Sequence, residues 1–200
     1  MRILSMAVGM IGTNCYILVS DKENCFIIDP GAEADRITAK LEEEKIMPKA
    51  ILLTHGHFDH IGGAEQLVNT YHIPVYLNRA DHAMAEDPEL NASRSFGLPD
   101  AGIKADFPLE NGDTVSLDEL TLRIIETPGH TMGSVSLYLP EKKVLFSGDT
   151  LFRGGYGRTD LYGGSYESLQ RSLQKLMTLP EETRVLPGHG AETTILKEKW

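Results

Sequence analysis

One short stretch carries most of the information in this chain: Thr54-His55-Gly56-His57-Phe58-Asp59-His60, which follows the apolar run 50–53. It places three imidazoles and one carboxylate within six residues. Imidazole nitrogen and carboxylate oxygen are preferred ligands of Zn²⁺ and of similar divalent cations. A catalytic zinc usually holds about three protein ligands and one water, so four ligands exceed one open site and fall short of two. The stretch therefore predicts a metal site with more ligands elsewhere in the chain.

Three more apolar runs each lead into a potential ligand. Run 122–127 precedes His130, run 144–147 precedes Asp149, and run 184–186 precedes His189. Each run is short, rich in β-branched or aromatic residues and followed by Gly or Pro, which is typical of a buried strand running into a loop. Open αβ architectures place their sites at the carboxyl ends of strands. We therefore expect all four ligand-bearing strands to converge on one edge of a sheet.

The complete set of motifs resembles the metallo-β-lactamase superfamily: H-x-H-x-D-H, then PGHT, GDTLF and a late PGHG. GDTLF followed by Gly157-Arg158-Thr159-Asp160 is similar to the glyoxalase II (hydroxyacylglutathione hydrolase) branch in its short single-domain form, a pattern that persulfide dioxygenases share. The resemblance covers nearly the whole chain. It implies an α/β (α+β) fold, a four-layer αββα sandwich in which two mixed β-sheets are flanked by helices.

The same resemblance implies how the ligands divide between two divalent metal ions. One ion would be held by His55, His57 and His130. The other would be held by Asp59, His60 and His189, with Asp149 bridging the two. Zinc is the favoured metal, and iron or manganese are the alternatives. The spacing of the motifs reaches the same seven residues independently, but it does not sort them between the two ions.

Two such cations would share a water and lower its pKa towards ~7, so that a bridging hydroxide could attack a carbonyl carbon. We expect hydrolysis of an activated acyl compound, with an anionic thioester favoured. Thiolate is a good leaving group, and the motifs contain no Tyr, Lys or spare His to act as a general acid. Asp59 could orient the hydroxide or accept its proton.

Substrate contacts are less sharply predicted. Arg158 either forms a structural ion pair with Asp160 or, as the resemblance implies, holds a substrate carboxylate, and Arg153 is a weaker candidate of the same kind. The irregular segment 87–105 is long enough to be a substrate lid, since long loops in compact domains are usually functional or disordered. His72 and His82 lie outside the motifs, and we assign them surface or structural roles.

Two other functions remain open at this point. One is a mononuclear iron dioxygenase acting on glutathione persulfide, for which His57, His130 and Asp149 could form a facial triad. The other is a metal-binding sensor without turnover. The helical C-terminal extension of longer glyoxalase II enzymes has no counterpart in the ten residues after Gly190, which weakens the case for glutathione. The His60 position argues against β-lactamase activity, because several of those enzymes place a basic residue there. Oxygen-reducing di-iron relatives have Glu at the position of His57.

Composition bounds the remaining possibilities. We expect residues 1–200 to form a single domain. The 29 acidic and 19 basic residues give a formal net charge of −10, and no basic cluster appears, so we expect a small-molecule substrate rather than nucleic acid. No apolar run approaches the ~20 residues of a membrane span, and the N-terminus lacks a secretory pattern. We therefore expect a cytoplasmic protein, and its oligomeric state stays open.

The two cysteines are predicted to be free thiols. Strands 13–20 and 25–28 read as a hairpin in which Cys25 faces Ser20. Cys15 then lies five residues further along, or about 16 Å away. A disulfide requires Cα atoms within about 7 Å, so the two thiols should stay unpaired and packed as small hydrophobes.

Hydrophobic patterns place the remaining elements. The opening strands run to Ile28 and are followed by a helix over 34–45. A strand over 50–53, a helix over 62–69 and a strand over 74–77 come next. Strand pairs are predicted at 114–117 with 121–126 and at 135–139 with 144–146. The last helix is predicted over 166–177, before a final strand.

Overall fold

A computed structural model, which describes residues 1–199, stacks two β-sheets face to face and covers both outer faces with helices. The strands in this part of the chain are β1 Arg2–Val8, β2 Thr13–Val19, β3 Asn24–Ile28, β4 Met47–Leu52, β5 Val75–Leu77, β6 Phe107–Pro108, β7 Thr114–Leu117, β8 Leu120–Glu126, β9 Val135–Leu139, β10 Val144–Gly148, β11 Leu151–Phe152, β12 Gly155–Tyr156, β13 Arg184–Pro187 and β14 Thr193–Thr194. The α-helices are α1 Ala34–Glu44, α2 Phe58–Ile61, α3 Ala64–Tyr71, α4 His82–Glu86, α5 Tyr166–Leu176 and α6 Ile195–Glu198.

Both large sheets are mixed. The first has the order β1-β2-β3-β4-β5-β6, antiparallel from β1 to β3 and parallel from β3 to β6. The second has the order β14-β13-β10-β9-β8-β7, antiparallel except where β10 runs parallel to β13. Strands β11 and β12 form a separate short hairpin beside the second sheet.

The main core lies between the two sheets, where Tyr16 of the first sheet meets Phe146 of the second with ring centroids 5.3 Å apart. A second cluster joins the outer face of the first sheet to α1 and α3. A third joins the outer face of the second sheet to α5, whose buried Leu169, Leu173 and Leu176 recur at helical spacing. Helix, sheet, sheet and helix thus form four layers, which confirms the predicted αββα class.

The four ligand-bearing strands do not share one sheet edge, so that expectation is wrong. Strand β4 belongs to the first sheet, and β8, β10 and β13 belong to the second. Their carboxyl ends meet because the two sheets are stacked, and an isolated antiparallel bridge between Thr13 and His189 joins the two sheets at the site. Local sequence patterns identify strands, whereas long-range pairing decides which sheet each strand joins.

The hairpin register also differs by one residue, because Cys25 pairs with Val19 instead of Ser20. The Ser20 amide donates to the carbonyl of Asn24, so Ser20 closes the turn. Cys15 pairs with Met6 on the other side of β2, and both cysteines are buried and free, as predicted. The predicted helix 62–69 is α3, which begins at Ala64 after Gly62 and Gly63. The short helices α2, within the first motif, and α6, near the C-terminus, were not predicted.

Among the helices of residues 1–199, none has the length and apolar character needed to cross a bilayer. No residue of segment 87–105 lies in an α-helix or a β-strand, as the composition of the segment predicts.

Candidate metal centre

The seven predicted ligands converge between the two sheets. The loop after β4 carries His55 and His57, and α2 carries Asp59 and His60. The loops after β8, β10 and β13 deliver the others. These side chains form three groups, and within each group the potential ligand atoms all lie within 4.8 Å of one another. The groups are His55 with His57 and His130, His55 with His60 and Asp149, and Asp59 with His60 and His189.

The first group is oriented by the backbone of the second sheet's loops. Nδ1 of His130 lies 2.7 Å from the carbonyl oxygen of Arg158. A carbonyl only accepts, so this nitrogen carries the proton and Nε2 presents a lone pair in the neutral ring. That Nε2 lies 2.9 Å from Nδ1 of His57. Two imidazole nitrogens at this distance, from different strands, form one side of a cation site.

A buried carboxylate that the sequence analysis did not single out, Asp29, orients two more ligands. Its oxygens accept from the backbone amide of Thr54 at 2.8 Å and from the Thr54 hydroxyl at 2.7 Å. Since that hydroxyl donates to Asp29, it accepts from Nδ1 of His55, 3.1 Å away. Nδ1 of His60 lies 2.9 Å from Asp29 Oδ2, an ion-pair contact without hydrogen-bond geometry. The Nε2 lone pair of His55 is therefore free for the cluster, and Nε2 of His60 faces Asp59 and Asp149.

The second group is built around the two carboxylates at the edge of the cluster. Nε2 of His60 lies 3.4 Å from Asp59 Oδ2 and 3.4 Å from Asp149 Oδ1. Nε2 of His189 lies 3.2 Å from Asp59 Oδ2 and 3.5 Å from Asp149 Oδ2. The Thr13 hydroxyl donates to Asp59 Oδ2 at 2.8 Å, so the first sheet fixes this carboxylate. Asp149 thus lies between the two sets of histidines.

Electrostatics keep the carboxylates ionised. Burial raises the pKa of Asp59 and Asp149, but the neighbouring imidazoles, His60 first, outweigh burial and hold both pKa values below their usual range. Burial lowers the pKa of His55 well below its ordinary value, and it lowers that of His57 to about 3. These two rings are therefore neutral ligands at physiological pH.

His60 behaves differently because carboxylates surround it. Burial lowers its pKa, but Asp59, Asp149 and Asp29 together raise it well above the ordinary value. A divalent cation beside these carboxylates would replace the charge of that proton, so metal binding at His60 releases a proton.

Several buried polar atoms of the cluster have no hydrogen-bond partner among residues 1–199. They are Nε2 of His55, Nε2 of His57, both ring nitrogens of His60 and Oδ1 of Asp149. Leaving such atoms unpaired is costly, and buried polar groups normally have a partner. Gly188 allows the close packing here, because a Cβ on it would lie 2.1 Å from Asp149 Oδ1. The donor set and its orphaned atoms make this a divalent metal site.

A cavity of about 320 Å³ opens over the cluster. Five of the candidate ligands line it: His57, Asp59, His130, Asp149 and His189. The other residues of its wall are Ile11, Phe58, Ala92, Phe96, Phe152, Gly157, Arg158 and Leu161. Segment 87–105 contributes Ala92 and Phe96, so it borders the cavity as the predicted lid would. The wall is mostly apolar around a polar floor, which is the usual construction of a small-molecule site.

Arg158 forms the predicted ion pair with Asp160 and also lines the cavity. Its guanidinium pairs with Asp160 through Nε at 2.6 Å and Nη2 at 2.7 Å. The side chain is half exposed and lines the cavity. Arg153 is exposed and is not one of the cavity-lining residues. His72 is exposed at the end of α3, and His82 contacts the carbonyl of Leu77, so both lie outside the cluster.

A further buried carboxylate, Asp81, joins the first two ligand loops. It accepts from the amides of Gly56 at 3.0 Å and Gly133 at 2.7 Å, and from the Thr131 hydroxyl at 2.6 Å. Nothing in the local sequence distinguishes Asp81. Asp29 does carry a signal, because it follows the buried strand β3 and precedes Pro30-Gly31, like the ligands themselves.

Comparison with known proteins identifies the family. The family model of the metallo-beta-lactamase superfamily matches residues 8–189. The chain belongs to this superfamily. As a metallo-beta-lactamase superfamily member it is a metal-dependent hydrolase, in keeping with two curated relatives. "Probable metallo-hydrolase YqgX" of Bacillus subtilis is 44% identical over 196 residues, 97% of this chain and 92% of that protein. Hydroxyacylglutathione hydrolase GloC of Haemophilus influenzae is 40% identical over 203 residues, 100% of this chain and 95% of that protein.

Two solved structures of the superfamily superpose closely. The B3 metallo-beta-lactamase BLEG-1 has a TM-score of 0.94 at 44% identity, covering 98% of this chain and 96% of that chain. TTHA1623 in a di-iron-bound form has a TM-score of 0.88 at 39% identity, with 98% and 96% covered. These proteins share the architecture and differ in the activity or metal that their names state.

Proposed function

We propose that the chain is a binuclear metal-dependent thioester hydrolase of the glyoxalase II type, acting on S-2-hydroxyacylglutathione or a similar anionic thioester. One observation carries the proposal: two groups of three ligands lie side by side, with Asp149 between them. A hydroxyacylglutathione hydrolase at 40% identity over the whole chain supports the substrate class.

Two divalent ions, with zinc favoured, would be held by His55, His57 and His130 on one side and by Asp59, His60 and His189 on the other. When bound, such ions activate water as a nucleophile and polarise the carbonyl of the substrate. The imidazole and carboxylate donors suit zinc, and they also suit iron or manganese. The di-iron form of a relative at 39% identity supports including iron in the test.

The chain's own residues supply orientation and proton transfer. Asp59 is ionised, lines the cavity and is fixed by Thr13, so its carboxylate can take the proton of an attacking water. Arg158 uses Nε and Nη2 for Asp160, which leaves Nη1 without a partner in residues 1–199 for a substrate carboxylate. The described cavity lining contains neither lysine nor tyrosine. A thioester suits such a site, because thiolate leaves without a general acid.

The chain's charge and thiols support a small, cytoplasmic substrate. A formal net charge of −10 disfavours nucleic acid as a partner. Two buried free thiols are typical of a reducing compartment.

A persulfide dioxygenase would need one iron and the triad His57, His130 and Asp149. Convergence of Asp59, His60 and His189 into a second group argues for the binuclear hydrolase, because one iron makes no use of them. The argument from His60 against β-lactam hydrolysis is weakened, since BLEG-1 is named a B3 metallo-beta-lactamase at 44% identity. Both rival substrates therefore belong in the experiment.

The experiment combines metal content with a panel of substrates. Purified protein loaded separately with zinc, iron or manganese is assayed with S-lactoylglutathione, other acyl thioesters, lactones, a β-lactam and glutathione persulfide. We expect two ions per chain, thioester cleavage and no oxygen consumption. One iron per chain with oxygen consumed on persulfide, or β-lactam cleavage without thioester cleavage, would overturn the proposal.

A matched pair of variants distinguishes the loss of a metal ligand from the same substitution at an exposed histidine. His189→Gln removes a ligand of the second group, and His72→Gln makes the same change on an exposed histidine outside the cluster. We expect His189→Gln to bind less metal and to lose turnover, while His72→Gln keeps both. Equal turnover in the two variants would contradict the assignment of the second ion.

A further inference from the structure

A second cavity of about 300 Å³ adjoins the metal cavity and has no assigned role. It lies between the β1–β2 turn, the β3–α1 turn and segment 98–101. The two cavities share three wall residues, Ile11, Phe58 and Asp59. The two cavities therefore meet at these three side chains, one of which is the candidate metal ligand Asp59.

The wall of the second cavity is apolar. Its side chains include Val8, Met10, Ile11, Ala32, Phe58, Leu98, Pro99 and Ala101. Met10 is 87% exposed and Ile11 is 49% exposed. Covering apolar side chains of this kind is favourable in proportion to the area removed from water. An apolar ligand in this cavity would cover them.

The two acidic residues on the rim outside the metal cluster already have partners. Glu33 accepts from the amide of Gly9 at 3.1 Å and from Arg36 at 2.7 Å. Asp100 is held by Arg94 through two hydrogen bonds of 2.9 and 2.8 Å. The cavity's lining contains no lysine or arginine among the described residues. An anionic group therefore has no cation to bind there, and an uncharged group meets no unpaired charge on this rim.

The cavity is preformed rather than dependent on loop closure. The amide of Phe58 donates to the carbonyl of Asn91 at 3.1 Å. The rings of Phe58 and Phe96 lie 5.3 Å apart. These two contacts hold segment 87–105 against α2, and the Arg94–Asp100 pair links two positions within the segment itself. A cavity fixed in this way binds without first ordering a loop, which reduces the entropic cost of binding.

We propose that this second cavity binds an uncharged alkyl or aryl acyl chain of the substrate, so that the enzyme prefers extended acyl groups over acetyl. The proposal rests on the thioester hydrolase function and deepens it. Arg158 lines the metal cavity and does not line the second one. The anionic thiol carrier is thus assigned to the side of Arg158, and the acyl chain to the apolar side beyond Ile11 and Phe58.

The main test varies the acyl chain on one fixed thiol. Acetyl, butyryl, hexanoyl and octanoyl thioesters of glutathione are compared by kcat/KM. Burying each added methylene corresponds to a gain of up to about threefold to fourfold in kcat/KM. We expect kcat/KM to rise at least tenfold from acetyl to octanoyl. A flat series, or one that falls as the acyl chain lengthens, would overturn the proposal.

Matched variants locate the preference. A Cβ placed on Gly9 would lie 3.2 Å from Cβ of Ala32, so the Ala32 side chain packs against the β1–β2 turn at the wall of the second cavity. Ala32→Leu adds bulk to this wall, and Leu98→Gln makes another part of the wall polar. Ala39→Leu repeats the first substitution on an exposed position of α1. We expect the octanoyl-to-acetyl ratio to fall at least fivefold in the first two and to stay unchanged in the third. A ratio unchanged in the first two variants, with unaltered folding by circular dichroism, would overturn the proposal.

Binding of octanamide, measured by calorimetry, separates this inference from the proposed function. Octanamide is uncharged and is not a thioester, so its affinity does not depend on turnover. We expect it to bind wild type and Ala39→Leu equally, and Ala32→Leu at least fivefold more weakly. Such binding without cleavage of any thioester would overturn the hydrolase proposal and support the apolar cavity. Thioester cleavage without octanamide binding would overturn the cavity assignment alone.

Discussion

Nδ1 of His60 lies 2.9 Å from Oδ2 of Asp29, a fully buried carboxylate that also accepts from the amide and hydroxyl of Thr54. Through the Thr54 hydroxyl the same carboxylate orients His55. One side chain therefore supports two ligand histidines, His60 by direct contact and His55 through the Thr54 hydroxyl. Support of this kind fixes the tautomer and increases the basicity of the ligand.

Replacing this carboxylate should weaken metal binding without unfolding the chain. Because Asn keeps the size of Asp but loses its charge, we expect Asp29→Asn to lower metal affinity or activity by about 10- to 100-fold. Competition with a chromophoric chelator measures the affinity. Asp35→Asn, on the exposed first turn of α1, is the control. Wild-type affinity in Asp29→Asn would show that the contact with His60 has no role in holding the metal.

The Asp81 carboxylate should contribute to stability through the two loops that it joins. Thr131→Val removes the hydroxyl that donates to Asp81 at 2.6 Å. Loss of a hydrogen bond to a buried charged group should lower the free energy of unfolding by about 1.5–3 kcal/mol. Urea unfolding of the metal-free protein measures this change. Thr70→Val, on the exposed face of α3, should change stability by about 0.5 kcal/mol or less, and equal effects of the two would refute the role of Asp81.

Arg158 should act on substrate binding more than on the chemical step. For an anionic thioester we expect Arg158→Gln to raise KM about tenfold, which corresponds to about 1.4 kcal/mol. The backbone carbonyl that orients His130 is unchanged by this substitution, so kcat should change little. Arg153→Gln is the matched control, since Arg153 is exposed outside the cavity. An equal KM change with a neutral thioester would exclude a contact between Arg158 and a carboxylate.

The buried thiols should make stability depend on alkaline pH. Burial raises the pKa of Cys25 to about 12, and it raises that of Cys15 further still. The unfolded thiols ionise near pH 8.5, whereas the folded ones keep their protons. Unfolded chains therefore bind fewer protons above this pH, and stability falls by up to about 1.4 kcal/mol per pH unit for each thiol.

Urea unfolding between pH 8 and 11 checks this dependence, with Cys25→Ala expected to reduce the slope. Native protein at pH 8 should resist iodoacetamide, and both thiols should react after denaturation. Rapid alkylation of the native protein would mean that the cysteines are accessible.

Removing the metal should lower thermal stability. Ions that bind the folded chain alone stabilise it by about 2.7 kcal/mol at a free concentration 100 times Kd. We expect chelation to lower the Tm and added metal to restore it in a concentration-dependent way. Differential scanning calorimetry with and without chelator measures the shift. An unchanged Tm after verified metal loss would contradict coupling between the cluster and the fold.

The ligands could be predicted from the sequence because each one stands in a recognisable local sequence pattern. His55, His57, Asp59 and His60 form one dense motif, and His130, Asp149 and His189 each follow a short apolar run. These runs were enough to identify the strands and the αββα class through the family resemblance. The division of the strands between two sheets could not be read in this way, because sheet membership depends on pairings between distant segments.

The residues that support the ligands were harder to predict. Asp81 and Thr13 contact the cluster only because the chain folds back on itself, and neither stands in a distinctive motif. Asp29 has the strand-then-Pro-Gly context of a ligand, so the same rule could have selected it. The second cavity could not be predicted from the sequence either, since its wall comes from four separate segments. A cavity that forms where distant segments meet produces no periodic pattern in the sequence of any one segment.

The Asn14 side chain donates to the carbonyls of Pro187 and Gly190, and the latter is 176 positions away. These hydrogen bonds hold the N-terminal β1–β2 hairpin against the C-terminal loop that carries His189, beside the cluster. During synthesis on a ribosome, the nascent polypeptide exposes its first histidines long before the hydrogen bonds of Asn14 can form. The group of Asp59, His60 and His189 can therefore form only after the His189 segment has emerged, later than the group of His55, His57 and His130.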